Sequence, residues 1–197
     1  MLETEIKKLE GLRGKRISIG VTADGAPRKS VGVPWLFDSS AYMMCTPNVY
    51  VTPDDVENEE ILSLFDGYEV IGFYVWEKLS DYRFLTRFAE LSDLNIKCGE
   101  NISDISFLRE LKKCRMLFLQ DAKLENLDPI LDAKEAGEGF PRCYTHIGLD
   151  NCVIDDISRL NGGEFFSEFL VFNPVERAER GRWSMMKQRG FKYYEYK

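Results

Sequence analysis

Between Leu91 and Leu160 the chain states one pattern three times. In LSDLNIKCGENISDISFL the pattern is Leu91, Leu94 and Ile96, followed by Ile102, Asp104, Ile105 and Leu108. In CRMLFLQDAKLENLDPI it is Cys114, Leu117 and Leu119, then Leu124, Asn126, Leu127 and Ile130. In YTHIGLDNCVIDDISRL it is Tyr144, Ile147 and Leu149, then Cys152, Ile154, Asp156, Ile157 and Leu160. Self-similarity at roughly 20–30 residues constrains a fold more than any local propensity, because one such unit cannot bury its own apolar face and must stack on a copy of itself.

The spacing within a unit says what each half is. Two apolar residues two positions apart, as in Leu117 and Leu119, put both side chains on one face of a strand. The second group, as in Ile154, Ile157 and Leu160, has the three-residue spacing of a helical or 3₁₀ turn returning on the other side. Asp81, Asp104, Asn126 and Asp156 hold one position just before that turn. An Asx side chain there can accept backbone N–H bonds, a role preferred over a ladder of metal ligands.

A constant gap extends the array. Leu64 precedes Phe73 by nine positions, and the same nine separate Leu85 from Leu94, Leu108 from Leu117 and Leu160 from Phe169. From Ile130 to Ile147 the gap is seventeen, which assigns an eight-residue insertion to 132–142. The expected organisation is one domain over 1–197: an N-terminal cap over 1–47 with a short helix in 2–12 and a hairpin in 16–37, repeats over 48–172, and a C-terminal cap over 173–197. Within the last, the stretch after Pro174 reads as a helix and FKYYEYK as a final strand.

The pattern LxxLxLxxxxIx[DN]IxxL, clearest in Leu91, Leu94, Ile96, Ile102, Asp104, Ile105 and Leu108, resembles the leucine-rich repeat, especially the short form of bacterial internalin-like proteins. The resemblance covers about residues 48–172. It implies an α/β fold: a right-handed solenoid with a parallel β-sheet on the concave face and short helices or 3₁₀ turns on the convex face, capped at both ends. The chain departs from the family at the usual asparagine-ladder position, which holds Ala122 in one copy and Cys152 in another, and Gly99-Glu100 lengthens one copy.

Charge and cysteine usage narrow the function classes. A formal net charge of -7 argues against a grip on nucleic acid, which needs a basic face. No run approaches the ~18 apolar residues of a membrane span. The N-terminus lacks the apolar stretch of a secretory signal. Five cysteines without a paired framework suit a reducing compartment, so a cytoplasmic protein without cofactor or metal is expected.

Chemistry-bearing motifs are few. Cys143, His146 and Cys152 form the one His/Cys cluster, but the register turns His146 outward and Cys152 inward, so a buried thiol is the preferred reading over zinc or nucleophilic catalysis. What remains is the outward face of the strands, where Tyr74, Trp76, Met116, Phe118, His146, Leu170 and Phe172 stand. In leucine-rich repeats this concave face is the usual binding surface, and aromatics and methionine are what interfaces concentrate. The expectation is a non-catalytic module that binds a protein partner there, with Trp35, Phe37 or the C-terminal tail folded over part of the face as the competing arrangement. Alternatives are a bacterial immunity or inhibitor protein masking a toxin, and an enzyme using Cys143 and His146.

Overall fold

The computed structural model describes residues 7, 9–27, 46–135, 143–159, 168–172 and 192–194, the last two segments as backbone only. The elements in chain order are β1 (Arg16–Val21), β2 (Asn48–Val51), α1 (Pro53–Glu57), α2 (Glu59–Ser63), β3 (Glu69–Val75), a 3₁₀ turn at Arg83–Arg87 and β4 (Asp93–Ile96). A second 3₁₀ turn at Ser106–Glu110 leads to β5 (Met116–Gln120), β6 (Lys123–Asn126) and α3 (Asp128–Glu135). Then come β7 (His146–Asp150), β8 (Val153–Asp156), β9 (Glu168–Phe172) and β10 (Lys192–Tyr194).

The protein is α/β, built on an eight-stranded sheet in the order β10-β9-β7-β5-β4-β3-β1-β2, with a two-stranded sheet of β6 and β8. Every pairing among the described residues is parallel. The repeat register is the register of the sheet: Val49, Ile19, Phe73, Leu94, Leu117, Ile147 and Phe169 are successive partners across seven strands. All but Phe169, whose side chain is not described, are buried in one core together with Leu85, Leu108, Leu127 and Ile154 from the return segments. Parallel neighbours need a crossover between them, and here each crossover supplies the apolar residues that cover the strand it leaves.

The turns are made as the Asx positions require. Asp81 accepts from the Arg83 N–H at 2.9 Å, Asp104 from Ser106 at 2.8 Å, Asn126 from Asp128 at 2.9 Å and Asp156 from Ser158 at 2.7 Å. Asp121 and Asn151, just past the ends of β5 and β7, both take left-handed backbone (φ 63° and 52°), which Asp and Asn tolerate. Asn151 Nδ2 donates to Asp121 Oδ1, tying one turn to the next. At the ladder position of the repeat pattern, the Cys152 thiol donates to the Leu119 carbonyl at 3.3 Å, and Ala122 leaves the equivalent position apolar.

Ion pairs stitch the outer layer. Arg87 reaches Glu59 and Asp66, and Arg109 and Arg159 converge on Asp132 at the start of the insertion, at 2.9 Å and 2.8 Å. These pairs are substantially exposed and add little individually. The first part of the insertion extends the return segment as α3; residues 136–142 lie outside the described ones.

Two expectations change. β1 is not half of a hairpin in a separate cap: it lies inside the sheet, hydrogen-bonded in parallel to both β2 and β3, because Ile17, Ile19 and Val21 carry the same inward alternation as the repeats. The 31–37 half of that expected hairpin, and the expected helix after Pro174, fall outside the described residues. Leu64 is not equivalent to Leu85 and Leu108. It is 41% exposed, while Leu62 and Phe65 are buried, because two short α-helices replace the 3₁₀ turn in that copy and rotate a different pair inward. The final strand is present as β10, parallel to β9.

Leu117→Ala should therefore cost about 2–5 kcal/mol in urea unfolding, whereas Leu64→Ala should stay within about 0.5 kcal/mol of the parent. Equal costs would show that Leu64 holds a core position after all.

Candidate functional site

The parallel register converts the outward residues of each strand into rows across the second face of the sheet. One row runs Asn48, Ser18, Gly72, Asp93, Met116, His146 and Glu168. The central row runs Tyr50, Gly20, Tyr74, Asn95, Phe118, Gly148, Leu170 and Lys192. At the carboxyl ends, Gln120, Asp150 and Phe172 pair in a third row, beside Lys97 and Trp76, which follow β4 and β3 and are held by Lys97 N–H to Val75 O and Trp76 N–H to Val21 O. The structure thus brings the seven expected contact residues onto aligned positions of one sheet.

It does not leave them equally open. Tyr74 and Phe118 are each 2% exposed, which removes both from the expected set of free aromatic anchors. Part of the Tyr74 surface is covered by its own strand. A Cβ built on Gly72 would lie 2.6 Å from Ser18 Oγ and 2.9 Å from the Tyr74 ring, so the ring lies down over bare backbone instead of standing off the sheet. Gly20 plays the same part for Tyr50 and Trp76, at 2.8 Å and 3.1 Å. Phe118 pairs in register with Gly148 on β7. Trp76, Met116 and His146 are half-buried. Leu170 and Phe172 are placed by backbone pairing, and their side chains lie outside the described residues.

The alternation of β4 turns Asp93, Asn95 and Lys97 outward onto this face, although none of them is among the expected contact residues. Asp93 is 7% exposed, and burial raises its carboxyl pKa, against the lowering effect of the Ser92 hydroxyl that donates to it and of the Arg115 charge. Asn95 is 5% exposed, and its Oδ1 has no hydrogen-bond partner among the described residues. Lys97 is half-buried with its ammonium 5.8 Å from the centroid of the Trp76 ring, and burial lowers its pKa. A strand reading DLNIK announces these polar residues by alternation alone, but alternation carries no information on whether a face is wet.

The cysteine cluster divides as its register requires. Cys143 and Cys152 are fully enclosed in the core, and burial pushes the Cys152 thiol up to about 12. Burial likewise holds Cys114 well above the ordinary thiol range. His146 sits on the opposite face, half-buried, with Nδ1 2.9 Å from the Thr145 hydroxyl. A neutral, desolvated thiol is a poor nucleophile and a poor metal ligand. Among the described residues no three His, Cys, Asp or Glu side chains gather where they could hold a metal ion. No described helix is long and apolar enough to cross a membrane.

Two outcomes follow for this face and its cysteines. Because the folded pKa of Asp93 lies above its unfolded value, the stability it lends is complete below the unfolded pKa and is lost as pH rises through the folded one. Asp93→Asn, which still accepts from Ser92, should raise the unfolding temperature at pH 7, with the gain shrinking as pH is lowered toward about 4; a variant less stable than the parent at pH 7 would show that the ionised carboxylate is needed. Mass-resolved alkylation of the native chain should leave Cys114, Cys143 and Cys152 unmodified until denaturant is added, and rapid labelling of Cys143 would restore the thiol-enzyme reading.

No family model matches the chain, and comparison with curated proteins finds no relative for it.

Proposed function

We propose that this chain is a non-catalytic protein-binding module of the leucine-rich-repeat type, a right-handed solenoid whose parallel sheet forms the concave face and whose 3₁₀ turns and short helices form the convex one. The observation that carries this reading is the single register running from Phe73 through Leu94, Leu117 and Ile147 to Phe169, with one return segment and one Asx turn per strand. An array of that kind presents aligned side chains over a wide, stiff surface, which suits recognition of a macromolecule better than enclosure of a substrate. The order β2-β1-β3 at the N-terminal edge departs from simple sequential stacking, so the repeat reading applies from β3 onward.

Within that reading the contact surface moves from the centre of the second face to its margins. Trp76, Lys97, Gln120 and Asp150 at the carboxyl ends, and Met116 and His146 at the other end, are half-buried and combine apolar area with charge and hydrogen-bonding groups. Tyr74 and Phe118 lie beneath as support. This division of a few apolar contacts set among polar ones is the anatomy of a non-obligate interface.

Trp76→Ala combined with Gln120→Glu should leave the unfolding temperature within a few degrees of the parent and abolish enrichment of a specific protein from native lysate on the immobilised chain. Equal enrichment by parent and variant would remove this margin as the contact surface. Phe118→Ala, in contrast, should cost about 3–5 kcal/mol of stability because it opens a cavity.

A further inference from the structure

We draw no further inference here: the strongest candidate, the shallow cavity on the convex side between the Asp104 and Asn126 turns, carries nothing, because its Arg109 is already paired with Asp132 and its Asp128 with Arg159, and the remaining carboxylates of Asp104 and Glu125 are an exposed acidic cluster beside which no second observation points to a ligand.

Discussion

The whole structure depends on one geometric constraint: parallel strands can stack in register only if every strand delivers an apolar side chain at the same height and a crossover brings the chain back to the same edge. Val49, Ile19, Phe73, Leu94, Leu117 and Ile147 meet the first condition, all within 1% of complete burial. The return segments meet the second, and they reuse the crossover to cover the core with Leu85, Leu108, Leu127 and Ile154. A side chain of the wrong size in this row is felt on both neighbouring strands, since interiors are close-packed. The row tolerates variation between Phe, Leu and Ile only because the return segments adjust against it, as where Phe73 packs on Phe84 and Phe88 at 5.5 Å and 5.7 Å.

The second face obeys a different rule. Its alternating residues are polar or small on β1 and β4 and aromatic on β2, β3 and β5, so rings can settle over glycine and over short side chains. The outcome is a face that is dry at its centre and half-exposed at its ends. Charged and polar groups caught in the dry part respond as desolvation dictates: the Asp93 carboxyl is pushed toward its neutral form and Lys97 toward losing its proton. Both lie on β4 or one step past it.

Much of the architecture was legible in the sequence, and for a physical reason. Period-two alternation and three-residue spacing are local properties, and the equal nine-residue gaps converted them into register for Phe73, Leu94, Leu117 and Phe169, while Ile147, seventeen residues past Ile130, was aligned by its repeat motif across the insertion. The Asx positions were legible for the same reason, because their hydrogen bonds reach only two residues along the chain. Counting failed at Leu64, where a helical turn took the place of a 3₁₀ turn without changing the gap length.

What the sequence determined by itself is the list of which residues share a face and at what height, including Tyr74, Trp76, Met116, Phe118 and His146. Only the tertiary structure decided that β1 enters between β2 and β3, since strand order depends on nonlocal pairing that no local period encodes. Only it decided, too, that Tyr74, Asp93, Asn95 and Phe118 are shut away while Trp76 and Lys97 stay within reach. Alternation specifies the direction of a side chain, but exposure depends on what packs against it, and the Tyr74 ring lies over a glycine of its own strand beside a serine of β1 that is more than fifty residues away in the chain.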